Sequence, residues 1–300
     1  MNNGLTTATT PKRINPNTDL VVTTELESAG LISYWRCSEG MSLNTLTDRW
    51  IEEGLDVKLL PKEPEPETAL RRAVMEQQDR HRLVRAVDRH AWAIVDEKIV
   101  EVAEGQPAQP PTYTTLCIVR YDNGGVAYNM MDGTFDEVAK LTATIASAFR
   151  NQQGLLASTD VTKWLVTLAY KHGAVTLRDT GGVYFVPREH SDFWRAVSRC
   201  VEATAGYRVF RIPAMNNSEC VAAIVDAVTA EAAQLIAAME VELAQTGDDA
   251  LGKRAIQHRQ LEAEALLKKV VSYEKLLGMQ LDVRSRVENL QANIVAAALT

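Results

Sequence analysis

Three hundred residues, with 46% hydrophobic and 24% charged side chains, make a chain able to bury one large core or two ordinary ones. That composition excludes global disorder, and a net charge of −7 speaks against indiscriminate binding to polyanions. No run of roughly 18 uninterrupted apolar residues marks a membrane span, and the N-terminus lacks the apolar segment of a secretory signal. Cys37, Cys117, Cys200 and Cys220 are widely spaced and form no CxxC pair. They read as buried thiols in a reducing compartment, so a cytoplasmic protein without a membrane partner is expected.

Met1 to Asp19 is rich in Thr, Asn and Pro and has no apolar periodicity, so residues 1–19 are expected to be a disordered tail. Leu31 to Cys37 reads as a strand. Ser42 to Glu53 reads as a helix, with Leu43, Leu46, Trp50 and Ile51 at helical spacing and Gly54 to end it. Pro61, Pro64 and Pro66 predict an extended tether, with Pro66 able to open the next helix. That helix is expected from Glu67 to Arg89. Its arginines read as a solvated face laced with i,i+4 pairs rather than as a phosphate site. Ala91 to Val102, Tyr113 to Tyr121 and Val126 to Met131 read as strands. The last two are joined by Asp122-Asn123-Gly124-Gly125, where Asn-Gly supplies the positive φ angles of a tight hairpin.

At Thr134 the apolar period changes from two to 3.6, and Thr134 with Glu137 fits a capping box. A second helix is expected over Asp160 to Lys171, stopped by Gly173. A hairpin follows, Ala174 to Arg178 and Val183 to Pro187 around Asp179-Thr180-Gly181-Gly182. Ser191 to Ala205 is another helix and Tyr207 to Ile212 a short strand. Asn216 with Glu219 opens a helix running to Gln245, and after a turn at 246–249 a second long helix extends from Leu251 to Leu299. The expected fold class is therefore α+β. An antiparallel-sheet unit covers 20–133, a helix-plus-hairpin, winged-helix-like unit covers 134–215, and a long helical hairpin covers 216–300.

Charge is unevenly spread: residues 134–215 are net +3, whereas the segments on either side are net negative. A helix followed by a glycine-tipped hairpin is the order of the later part of a winged helix, whose helix enters the major groove and whose wing touches phosphate. Lys163, Lys171, Arg178 and Arg188 stand where such contacts fall, and they are the candidate nucleic-acid-binding residues. A competing pattern is Asp96-Glu97-Lys98 with Asp79 or Asp88 upstream, which resembles the metal-binding carboxylates and lysine of restriction-type nucleases. Asp179-Thr180-Gly181 looks like half of an aspartic-protease site, but it occurs once and a turn explains it. The five histidines show no metal-ligand spacing, and no Walker loop, GxGxxG or GxSxG is present.

These observations predict no catalytic residues, no metal and no cofactor. The function expected is a non-catalytic binding or scaffold protein. Residues 216–300 would mediate self-association or hold a protein partner, and residues 134–188 would contact nucleic acid. The alternatives are a metal-dependent nuclease centred on Asp96 and Lys98, and a purely structural assembly subunit.

Overall fold

The computed structural model describes residues 28–38, 40–98, 110–132, 135–178, 181–204, 206–245 and 252–299. The expected tail, the Thr134 cap, Asp179 and Thr180 of the hairpin tip and the turn at 246–249 lie outside them. Mixed helix and antiparallel sheet with C-terminal helices establishes the α+β class. The first half of the chain carries β1 (Ser28–Cys37), β2 (Met41–Ser42), α1 (Leu43–Glu52), α2 (Pro66–Met75), β3 (Arg82–Asp88), β4 (Ala91–Lys98), β5 (Thr112–Asp122), β6 (Gly125–Met130) and α3 (Phe135–Gln152). The second half carries β7 (Leu155–Leu156), α4 (Ser158–Lys171), β8 (Val175–Thr176), β9 (Tyr184–Pro187), α5 (Ser191–Glu202), β10 (Tyr207–Met215), α6 (Ser218–Leu243), α7 (Lys253–Leu277) and α8 (Val283–Leu299).

One sheet is the antiparallel meander β3-β4-β5-β6. The helices α2 and α3 cover one of its faces, where Leu70, Val74, Leu141 and Ile145 meet Ile94, Cys117 and Val119. The Asn123-Gly124 hairpin forms as its residue types demand, with φ angles of 49° and 80°. The helix expected over 67–89 is corrected: it stops at Met75, and 82–88 is a strand. The local cause is Asp79, whose Oδ1 accepts the backbone N–H groups of His81 and Arg82, both at 2.8 Å. An Asx turn of this kind competes directly with helix propagation. The same bonds, that from His81 foremost, hold the Asp79 carboxyl below its ordinary range.

The second sheet has the order β10-β1-β9-β8 with every pair antiparallel. Read along the chain, β1-α4-β8-β9-α5-β10 is the split β-α-β-β-α-β arrangement, with residues 41–156 inserted in its first crossover. The helix-then-hairpin order expected after residue 134 is present. The base of the hairpin is built into this sheet, because β9 pairs with Gly30 to Ser33 of β1. The boundary expected at 133 is thus crossed by strand pairing, which leaves no local trace in the sequence. On one face, Leu31, Val186 and Tyr184 pack with Leu165, Trp50 and Trp194 of the covering helices. Trp194 Nε1 donates to Ser33 Oγ (2.8 Å), and that hydroxyl donates to the Phe210 carbonyl (2.9 Å), so the one buried polar side chain of β1 is fully used.

The C-terminal helices cover part of the other face. Ile32, Val175, Phe185 and Ala214 share a core with Ile224, Val228, Val270 and Tyr273. The expected long second helix of this region is two helices: Gly278, at φ 67°, caps α7 in a left-handed conformation that glycine adopts without steric cost. N-capping of α6 falls one residue later than predicted, on Asn217, whose side chain accepts from Cys220 N at 2.8 Å. By length and composition alone α6 could cross a membrane. In the structure its Ile224, Val228, Ala232, Ile236 and Met239 are buried inside the protein.

Candidate nucleic-acid interface

Past Ser33, β1 keeps β10 on one side, while its pairing with β9 has ended. Along this outer stretch the pleat sends Ser33 and Trp35 toward the covering helices and Tyr34 and Arg36 to the opposite face. The register places Ile32 opposite Ile212, Tyr34 opposite Phe210 and Arg36 opposite Arg208. The two aromatic rings are stacked, with centroids 4.5 Å apart and planes 11° from parallel. The Arg208 guanidinium carbon sits 5.2 Å from the Phe210 centroid. The C-terminal helices leave this end of the sheet open: Tyr34 is 36% and Ile212 49% exposed.

Arg36 and Arg208 are both exposed, and neither has an ion-pair partner among the described residues. Like charges directly opposite one another on a sheet destabilise it, so this pairing costs folding free energy. Arg211, one residue along β10 from Phe210, behaves differently. It is half-buried and bonded to Glu202 Oε2 at 3.2 Å, while Glu202 Oε1 accepts from Val209 N.

Beside the ladder, where β9 is absent, lies a cleft of about 660 Å³ bordered by Tyr34, Trp35, Tyr170, Arg178, Gly182 and Tyr184. Trp35 and Tyr184 stack at 4.9 Å, and Tyr170 meets Tyr184 edge-on at 5.9 Å. Burial raises the phenol pKa of both Tyr170 and Tyr184, so both hydroxyls stay protonated donors at neutral pH.

Of the four basic residues singled out by sequence, Arg178 alone adjoins the ladder. Lys163 lines a groove shared with Pro64, Arg72 and Asp160, where Arg72 is tied to Asp160 (2.5 Å) and to the Leu155 carbonyl (3.0 Å). Lys171 lines a third cavity, between α4 and α7, in which Lys269 pairs with Glu231 at 2.6 Å. Arg188 is exposed just after β9. The residues missed were Tyr34, Arg36, Arg208 and Phe210. The alternation of Ile32, Tyr34, Arg36 and of Arg208, Phe210, Ile212 was the available signal, but only the register shows that the two triplets face each other.

Of the two upstream carboxylates in the nuclease pattern, Asp79 lies at the Asp96 end of β3, its Oδ1 accepting from His81 N and Arg82 N, and Asp88 lies at the other end. Asp96 is opposite Arg82 and bonded to it at 3.1 Å, whereas Asp88 ends β3 and pairs with Arg120 at 3.0 Å. At about 3.3 Å per residue these carboxylates stand roughly 20 Å apart along the strand. Among the described residues no three His, Cys, Asp or Glu side chains are grouped to hold a metal ion. Burial pushes the thiols of Cys117 and Cys200 up to about 11, which leaves both protonated and weakly nucleophilic at neutral pH. His172 is a packing residue: its ring stacks on Phe193 at 3.9 Å, and burial lowers its pKa.

Residues 30–299 match the model of a family described as a family of unknown function, DUF6744, and the chain belongs to that family. No curated protein and no solved structure matches it.

Proposed function

We propose that this protein is a non-catalytic binding protein that takes single-stranded nucleic acid on the open outer face of its β10-β1-β9-β8 sheet. The observation that carries the reading is the ladder: a stacked Tyr34–Phe210 pair continued by Arg36 and Arg208, without acidic partners among the described residues. Tyr34 is exposed, with half-buried Phe210 stacked on it. An exposed ring on a sheet accepts an unstacked base, and guanidinium groups donate to phosphate oxygens through a planar fork. A duplex hides its base faces, so a flat aromatic surface favours a single strand. The split β-α-β-β-α-β arrangement hosts many unrelated functions and contributes nothing to this conclusion by itself.

Because the chain as a whole is net negative, attraction must be local and steeply dependent on salt. The test is fluorescence anisotropy with a labelled single strand and the matching duplex across a salt series. The single strand should bind more tightly. Tyr34→Ala and Phe210→Ala should each cost about 1–3 kcal/mol, the value of one base–aromatic stack. Arg36→Gln should lower the logarithmic salt slope by about 0.7, the single-strand value for one phosphate contact. No binding at low salt, or equal sensitivity to Arg85→Gln on the other sheet, would sink the proposal.

Assembly through residues 216–300 stands as a second reading, and Leu235, Val241, Leu261, Val271 and Val295 of the C-terminal helices are exposed to support it. The apolar stripe that called for a partner is largely spent on the chain's own sheet and on packing among α6, α7 and α8.

A further inference from the structure

We infer that the cleft beside the ladder is a subsite for one nucleotide turned out of the strand's stack, and that it is where this protein distinguishes one base from another. The inference rests on the single-strand reading above. Position is the first argument: Tyr34 belongs to both the ladder and the cleft wall, so a strand lying on the ladder presents its next nucleotide at the cleft mouth. Size is the second. About 660 Å³ lies within the range of sites that enclose small organic ligands.

The third argument is chemical. Tyr34 and Tyr170 are 36% and 39% exposed, Tyr170 with the Lys269 ammonium 5.5 Å from its ring centroid, so a base has aromatic surface to lie against, chiefly at Tyr34. The hydroxyls of Tyr34, Tyr170 and Tyr184 have no hydrogen-bond partner among the described residues, which leaves them free to read the polar edge of a base. Gly182 withholds a side chain from the wall; its nearest neighbour there would be the Tyr184 ring at 3.6 Å from an added Cβ. Arg178 stands at the cleft, exposed and with no ion-pair partner among the described residues, suited to the phosphate of the inserted nucleotide. No acidic side chain lines the cleft among the described residues, whereas the cavity between α4 and α7 mixes Glu189, Glu231 and Glu262 with Lys171, Lys268 and Lys269.

Division of labour follows. Stacking on Tyr34 and Phe210 tolerates any base, because every base has a π face. A pocket with directed hydroxyls does not, because a base whose edge fails to match leaves donors unpaired. The test is competition anisotropy with homo-oligonucleotides of equal length, using the full chain, Tyr170→Phe and Gly182→Leu, each checked for a native circular dichroism spectrum. The wild type should prefer one base by about tenfold, the scale of a single neutral hydrogen bond. Tyr170→Phe should flatten that preference, and Gly182→Leu should bring every oligonucleotide to the weakest wild-type affinity and lower the logarithmic salt slope by about 0.7, because the Arg178 phosphate contact is lost with the inserted nucleotide. Wild-type binding of all homo-oligonucleotides within twofold, with Gly182→Leu indistinguishable from wild type, would overturn the cleft and leave the ladder standing. Absence of binding by any of them would overturn both.

Discussion

Among the described residues the chain forms two four-stranded antiparallel sheets, the meander with helices on one face and the second sheet with helices on one face and part of the other, and they differ in how their cross-strand arginines are paired. In the meander, Arg82 is bonded to Asp96, Arg120 to Asp88, and the Tyr113 hydroxyl to Glu97. In the second sheet Arg211 pairs with Glu202, but Arg36 and Arg208 face each other beside two stacked rings, with no ion-pair partner among the described residues. A sheet selected only for stability neutralises or separates like charges. The contrast therefore points to the second sheet as the one that meets an anion, although both derive from similar strand-forming sequence.

The comparison can be broken first at the core. Phe185 joins β9 to the C-terminal helices, with its ring 6.0 Å from that of Tyr273. Phe185→Ala should cost about 3–5 kcal/mol in urea unfolding. A loss below 1 kcal/mol would mean that the C-terminal helices do not share a core with the sheet. Next in size are the ring deletions at Tyr34 and Phe210, each about 1–3 kcal/mol in binding. The corresponding deletion of the exposed Tyr113 on the meander should leave affinity unchanged, and an equal loss there would erase the distinction between the sheets.

A smaller effect carries the opposite sign. Arg36→Thr should weaken binding yet stabilise the fold by about 0.2–1 kcal/mol, because it relieves the repulsion from Arg208. Arg120→Thr on the meander should destabilise or be neutral, since Arg120 is paired with Asp88. Destabilisation by Arg36→Thr would show that the arginine pair is structural.

Acid sensitivity provides a check on the packing under the second sheet. Burial lowers the pKa of His172 from its ordinary 6.5, so the unfolded chain takes up this proton more readily than the folded one. The contribution of His172 is therefore full above about pH 6.5 and is lost as pH falls through the folded value. His172→Gln should reduce the drop in urea midpoint between neutral and mildly acidic pH, and an unchanged drop would assign it to other groups.

Much of this architecture was readable where the signal is local. Asn123-Gly124 announced its hairpin, Gly173 ended α4, and the apolar stripe of α6 marked its buried face. What escaped reading was non-local. Leu31 to Cys37 was legible as a strand, but nothing in it tells that β9 and β10, far along the chain, pair on either side. The basic residues chosen from the charge count, Lys163, Lys171, Arg178 and Arg188, scatter because sequence proximity on a helix and a hairpin is not convergence in space. Residues 82–88 were misread because Leu83, Val84 and Val87 fit a helical stripe as well as a strand, and the Asx turn at Asp79 decides between them.

The central claim is tested most directly by photo-crosslinking. A single-stranded oligonucleotide carrying a photoreactive base is bound to the full chain, irradiated, and the attached peptides are mapped by mass spectrometry. The account predicts attachment to the peptides containing Tyr34 and Phe210, with Tyr170 or Tyr184 labelled by the nucleotide in the cleft. Attachment confined to residues 82–130, or to the α4 lysines without Tyr34 and Phe210, would contradict it.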